Sequence, residues 1–295
     1  MICMNDTFSK PKTASRRSSE VADRIATLNP EENYEEIASL LYAYEFSWDI
    51  ERALEFALFR TYAVPSISGL LAKTGEFDRR PRKRYDDTEL IMAETIEHGL
   101  DSQRGQQSIA RMNAMHGRFR IDNSDMLYVL STFICEPIRW LDRIGRRSMT
   151  EVERKAWFLY YRGLGERMGI QNIPGELAAI MRFNEEFEAA NFRFAETNRQ
   201  IGEATTDLLL GFYLPRCLFW AGRPGVSAFL DTSLLQAMGF RPAPGWIRGL
   251  LMATLRMRAR ILRLLPTRRK PRHLTQIPRP TYPEGYRIDE LGTFR

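Results

Sequence analysis

The sequence predicts an all-α fold, and three observations carry that prediction. Apolar residues recur at three- and four-residue intervals along most of the chain, while the alternation expected of half-buried strands is nearly absent. Helix start and stop signals punctuate these runs: Asn29-Pro30, Thr150 three residues before Glu153, and Gly75, Gly99 and Gly117 behind apolar stretches. No repeat with a period of roughly 20 to 50 residues occurs, which excludes a solenoid. With 295 residues, 44% of them hydrophobic, the chain is large enough to bury a substantial core, and the reading is one large helical domain of nine to ten helices.

The elements follow in order. Residues 1–20 are polar and basic without an apolar period and read as a disordered leader. NPEENYEEIASLLYAYEF places Asn29 as an N-cap and Pro30 at the first helical position, with Ile37, Leu40, Leu41 and Tyr44 on one face. ERALEFALFRTYA continues the pattern to Pro65, ISGLLAKTGEF closes at Gly75, and DRRPRKR reads as a basic linker. In YDDTELIMAETIEHG, Asp86 and Glu89 have capping-box spacing, and His98-Gly99 is a stop signal. SQRGQQSIARMNAMHG stops likewise at Gly117, and SDMLYVLSTFICEPIRWLDRIG starts at Ser124 or Asp125 and must bend or restart at Pro137. MTEVERKAWFLYYRGLGERMG carries the Thr150/Glu153 box; three further helical patterns begin near 174, 196 and 244.

Composition excludes several functions. Cys3, Cys135 and Cys217 are odd in number and far apart, so neither a disulfide framework nor a cysteine zinc site is indicated; Cys135 and Cys217 read as small buried hydrophobes in a reducing compartment. There is no secretory apolar segment and no run long enough to span a bilayer, giving a cytoplasmic reading, with any membrane contact peripheral. Neither a P-loop nor a nucleophile elbow occurs. The net charge of +6 is uneven: residues 232–283 hold eleven Lys and Arg and no acid, leaving the remainder net acidic.

Only three histidines occur, His98, His116 and His273, too scattered for a mononuclear non-haem site built from several ligands. His116 shares a helical face with Ile109 and Met112 and therefore points inward. Packing alone favours a structural histidine there. Haem differs in needing only one protein ligand among apolar and aromatic walls, a demand that a chain poor in histidine and rich in Met, Phe, Tyr and Trp can meet.

Several segments occurring in order, RTYAVPSISGLLAKTGEF, RKRYDDTELIMAETIEHG, ARMNAMHGRF, LSTFICEPIRWLDRIG and WFLYYRGLGERMGIQNIP, resemble the haem-dependent oxygenases of the MpaB and rubber-oxygenase (latex clearing protein) family, in its MpaB-type branch, over about residues 55–215. The resemblance implies a globin-like all-α core, haem b, dioxygen as co-substrate and oxidative cleavage of an isoprenoid carbon–carbon double bond. It also implies His116 as the proximal iron ligand and Arg84 with Thr88 on the distal side, Arg84 pairing a propionate or stabilising bound oxygen. His98, in IEHGLD, is the competing ligand. Rubber oxygenases carry a lysine beside the threonine, where Asp87 stands here, and a glutamate upstream of the arginine, for which Glu76 is the only acid in ISGLLAKTGEF.

The organisation read from the chain is thus a leader (1–20), a helical haem-binding oxygenase domain (21–240), and a basic amphipathic helix with a Pro-rich tail (241–295). Residues 244–272 join apolar residues to a wholly positive polar set, which suits either an anionic membrane surface or core packing with a basic outer face. No nucleic-acid-binding module accompanies the charge. The reading is an oxygenase acting on a hydrophobic small molecule; the alternative is a non-catalytic helical protein held at membrane surfaces by its basic helix.

Overall fold

The computed structural model describes residues 20–292, so the leader and Cys3 lie outside the described residues, apart from Glu20. Fourteen α-helices are present among them: α1 (Glu20–Ala26), α2 (Tyr34–Leu40), α3 (Ser47–Thr61), α4 (Pro65–Thr74), α5 (Glu76–Arg79), α6 (Pro81–His98), α7 (Gln103–His116), α8 (Asn123–Ile144), α9 (Glu151–Arg167), α10 (Leu177–Asn191), α11 (Glu196–Gly211), α12 (Phe219–Ser227), α13 (Thr232–Met238) and α14 (Gly245–Leu264). No strand occurs among the described residues; one isolated bridge joins Arg279 and Tyr282. The fold is all-α, as predicted. The nine to ten helices expected are there, and the excess is α1, α5, α12 and α13, short elements of four to nine residues; α2, also short, shows its period because it runs on into a π-helical turn, Leu41–Glu45.

Several boundaries differ from expectation for local reasons. Asn29 does not cap a helix: its Oδ1 accepts from the Glu31 N–H at 3.0 Å, an Asx turn, and α2 begins at Tyr34. The basic run 78–84 is not a linker. It contains the end of α5 and the first turn of α6, with Pro81 at N1, because its basic side chains find acceptors one helical turn away: Arg79 and Arg80 reach back to Gly75 and Glu76, and Arg82, Lys83 and Arg84 reach forward. Arg82 pairs with Asp86 at 3.0 Å and Lys83 with Asp87 at 2.8 Å. Asp86 therefore lies inside α6, and no capping box forms with Glu89. The Thr150/Glu153 box forms as expected. The N-cap position of α8 is Asp122, with Ser124 and Asp125 in the first turn. Cys217, expected inside, is exposed on the surface segment after α11, whereas Cys135 is buried.

α8 lies at the centre, packed against α3, α9 and α10. It does not restart at Pro137 but runs through it. Proline lacks the N–H that would bond the Phe133 carbonyl, and that carbonyl instead accepts from the Trp157 indole N–H at 3.2 Å. A buried acceptor is thereby satisfied from α9. Trp157, Tyr160 and Tyr161 are fully buried beside it, with the Tyr160 and Tyr161 rings edge-on at 5.1 Å. A second, smaller core joins Phe59, Tyr62, Ile201, Leu234 and Met238.

The chain after α14 returns over α6 and α7 as a strap. Leu274 and Leu291 enter the main core, and the Arg111 guanidinium donates to the Leu291 carbonyl at 2.7 Å. The strap meets a column of α6 carboxylates: Thr281 donates to Asp86, Tyr282 to Asp87, Tyr286 to Glu94, and the Leu274 N–H and Thr275 hydroxyl to Glu97. Arg279 pairs with Glu89 at 2.6 Å. Buried carboxylates require such partners, so the acidic face of α6 is explained by the strap. No helix among the described residues is long and apolar enough to cross a membrane.

Candidate functional site

A cavity opens between α3, α6 and α11, and Phe77 of α5 and Leu274 of the strap also line it. Its walls are aromatic and aliphatic: Tyr42, Leu54, Leu58, Tyr62, Met92, Phe133 and Leu208. The polar groups facing it come mainly from two helices, Glu51 and Glu55 from α3 and Arg84, Tyr85, Thr88 and Glu89 from α6, with Thr205 added from α11.

Arg84 and Thr88 are one turn apart within α6 and so share a face, because the helix begins before Arg84 rather than at Asp86. The Arg84 guanidinium donates to the Thr88 hydroxyl, and that hydroxyl donates to the Arg84 carbonyl at 2.8 Å. The guanidinium also lies 5.7 Å from the Phe77 ring centroid, within cation–π range. Its charge reaches the buried Tyr62 hydroxyl, which burial pushes up to about 12 against the opposing pull of Arg84.

His116, itself half-buried, ends α7, whose buried residues are Gly105, Ser108, Ile109 and Met112. Its imidazole is held below its ordinary pKa, first by burial and then by the positive charge of Arg84, so the neutral ring is favoured. Its Nδ1 is buried with no hydrogen-bond partner. His116 does not line the cavity; it lies close enough to Arg84 for the two to interact. His98 stands fourteen residues beyond Arg84 on α6, about 21 Å along the axis at about 1.5 Å per residue. There its Nε2 is 3.5 Å from Glu94, which also binds Arg104 and Tyr286. His273 faces Glu97 at 3.4 Å. The structure thus brings His116, Arg84 and Thr88 into one neighbourhood and leaves His98 outside it. Among the described residues no group of three His, Cys, Asp or Glu side chains converges as a metal site.

The carboxyl cluster was not anticipated. Tyr85 donates its hydroxyl to Glu55, with Glu89 Oε1 3.4 Å from the same oxygen. Burial pushes Glu55 up to about 7 against the pull of Arg52, and Glu89 up to about 7 against that of Arg279. Arg52 lies 3.0 Å from Glu55 and also pairs with Glu51, while Arg272 engages the other oxygen of Glu51. The signal available beforehand was two glutamates four apart in ERALEFAL, on a helix that otherwise reads as core-facing. Glu76 and Asp87 point elsewhere: Glu76 is gripped by Arg80 at 2.7 and 3.0 Å, and Asp87 by Lys83 and Tyr282.

Comparison with known proteins identifies the family. The family described as "ER-bound oxygenase mpaB/B'/Rubber oxygenase, catalytic domain" matches residues 56–279, reaching through α14 into the strap. An "ER-bound oxygenase mpaB'" of Penicillium brevicompactum is 31% identical over 221 residues, covering 68% of this chain and 52% of that protein. An "ER-bound oxygenase mpaB" of Penicillium roqueforti (strain FM164) is 31% identical over 212 residues, 66% of this chain and 71% of that protein. A P. brevicompactum mpaB is 33% identical over 184 residues, 56% of this chain and 47% of that protein. The chain therefore spans about half the length of the two P. brevicompactum relatives and more of the P. roqueforti one. With the match extending over most of the described helices and including Arg84, Thr88 and His116, this chain belongs to the mpaB/B' and rubber oxygenase catalytic-domain family.

Proposed function

We propose that the chain is a haem b-dependent oxygenase acting with dioxygen on a hydrophobic, isoprenoid-type substrate, with His116 as the protein ligand of the iron. The observation that carries this reading is the buried, unpartnered Nδ1 of His116 beside Arg84. An unsatisfied buried polar atom costs about 1–3 kcal/mol, and a ligand that engages the imidazole would order the ring and offset that cost. The neutral ring is the form that coordinates a metal. A single histidine on an apolar helix face, in a chain whose neighbouring cavity has aromatic and aliphatic walls, matches what haem demands of a protein. The membership of a family named for oxygenases, one of them acting on rubber, a polyisoprenoid, supports the reaction and substrate class.

When bound, haem supplies the redox chemistry with dioxygen. The chain's own residues do the remainder. Tyr62, Phe77 and Phe133 form walls that exclude water and accept an apolar substrate. Arg84 presents a fixed positive charge, either to a propionate or to negative charge developing during oxidation. The hydroxyl of Thr88 is held in place by the Arg84 carbonyl, leaving its lone pairs toward the guanidinium and the cavity. Glu55 and Glu89, each near pKa 7, hold or release a proton at the cavity wall around neutral pH.

The test is an absorption spectrum with a pyridine haemochrome assay on protein expressed with adequate iron and haem precursor. One haem b per chain is expected, lost in His116→Ala and retained in His98→Ala. A folded, reconstituted protein without haem would sink the reading and leave the non-catalytic alternative; retention of haem and of its ligation in His116→Ala would remove the ligand assignment.

A further inference from the structure

α14 has two apolar faces, and only one of them is used. Met252, Leu255 and Ala259 pack toward the body of the protein, where Ala259 is buried and the other two join the edge of the main core. On the opposite side Trp246, Leu250, Met257, Ile261 and Leu264 stand in solvent, 71, 61, 52, 51 and 87% exposed. At about 100° per residue these five fall within an arc of about 60°, a continuous stripe along the helix. A helix that merely packed on a core would present its basic residues there. Instead Arg256 and Arg260 lie along one edge of the stripe and Arg268, Arg269 and Lys270 follow its end, all exposed, with no ion pair holding them among the described residues. The neighbouring α12, which packs against α14, adds Trp220 at 74% exposure.

We infer that this face is a docking surface for an anionic phospholipid bilayer, with α14 lying in the plane of the interface. Contiguous apolar surface of this kind marks a binding site rather than ordinary solvent exposure. Charge complementarity selects the occupant. No acidic residue stands between Asp231 and Glu284, so two copies of the face would bring like charges together, whereas an anionic interface accepts the arginines at headgroup level and the stripe below it. Trp246 and Trp220 have the amphipathic rings that such an interface favours. In the segment that leads into α12, Tyr213, 69% exposed, accepts from Arg52 at 3.0 Å, and Arg52 pairs with Glu55 in the cavity wall. On the oxygenase reading, an apolar substrate would pass from bilayer to cavity across this edge; the docking itself does not depend on that reading.

The experiment is vesicle flotation of the full chain, with phosphatidylcholine vesicles and with vesicles containing about 30% phosphatidylserine, at low and high salt. Binding to the anionic vesicles is expected to exceed that to the neutral ones by about tenfold, to weaken in high salt, and to fall by about tenfold in the double variant Leu250→Glu, Ile261→Glu. Both positions are exposed, and a matching thermal melt checks that the variant is folded. Quenching of tryptophan emission by brominated lipid, measured on the unaltered protein, is expected from Trp246 and Trp220 and needs no variant. Failure to bind either vesicle, equal binding by the double variant, or absence of quenching would overturn the inference, as would a dimer in light scattering that the variant abolishes without any vesicle binding. Each readout is independent of haem content, so failure here is separable from failure of the oxygenase reading.

Discussion

Glu55→Gln offers the sharpest test of the cavity's electrostatics. The Glu55 carboxyl is buried, and its pKa is raised from 4.5 to about 7 in the folded protein, burial outweighing the attraction of Arg52. The sign of the stability effect is the reverse of that for a salt-bridged acid. Below about pH 4.5 the group is protonated in both states and contributes nothing. As pH rises toward 7 the unfolded chain ionises freely while the folded chain resists, so the folded state holds the extra proton and stability falls with pH. A shift of about 2.5 units, at about 1.36 kcal/mol each, amounts to roughly 3 kcal/mol lost between pH 4.5 and 8. Glutamine keeps the shape and an acceptor for Tyr85 but cannot ionise. The variant should therefore gain on the parent by about 2–3 kcal/mol across that window, the lower end allowing for the simultaneous relief of Glu89. Urea unfolding at pH 5 and pH 8 measures this directly. Two unfolding curves separated by the same offset at both pH values would refute the buried-acid account, since loss of the Arg52 and Tyr85 contacts alone is independent of pH in this range.

Three further outcomes are expected. Arg279→Ala leaves Glu89 without its cation, costing about 3–5 kcal/mol at pH 8 and much less at pH 5, where the carboxyl protonates; equal destabilisation at both would show that the arginine acts by packing. Trp157→Phe removes the donor that satisfies the Phe133 carbonyl opposite Pro137, for about 1–3 kcal/mol in urea unfolding, whereas an unchanged midpoint would mean that water or a shifted α8 replaces it. Thr150→Ala deletes the α9 capping box at a cost of about 0.5–2 kcal/mol, and a null result would mean that tertiary packing alone sets the start of α9.

The long helices were legible because each carries its own period and its own ends. α9 shows this most plainly: Thr150 and Glu153 cap it reciprocally through backbone groups within three residues, and no distant partner is needed. α6 shows where local reading fails. Asp86 has the spacing of a cap, yet Arg82, Lys83 and Arg84 find acceptors four residues on and extend the helix by a turn. That extension is what places Arg84 and Thr88 on one face. Of the candidate site, His116 was visible through its rarity and its apolar face, and Arg84 and Thr88 through family resemblance. Glu55, Glu89 and Tyr85 were not, because nothing local distinguishes a solvated glutamate from one whose helix turns it against another.

The amino-acid sequence by itself determined the helical class, the approximate positions of ten of the helices and the identity of the one histidine whose neighbours are apolar, since periodicity and capping act over a few residues. Tertiary structure decided the rest. Pairing of the α6 carboxylates with a strap nearly two hundred residues away, rescue of the Phe133 carbonyl by Trp157, and the outward apolar face of α14 all depend on which surfaces meet. Residues at those surfaces are brought together by burial of area over the whole chain, and that free energy has no local signature in the sequence.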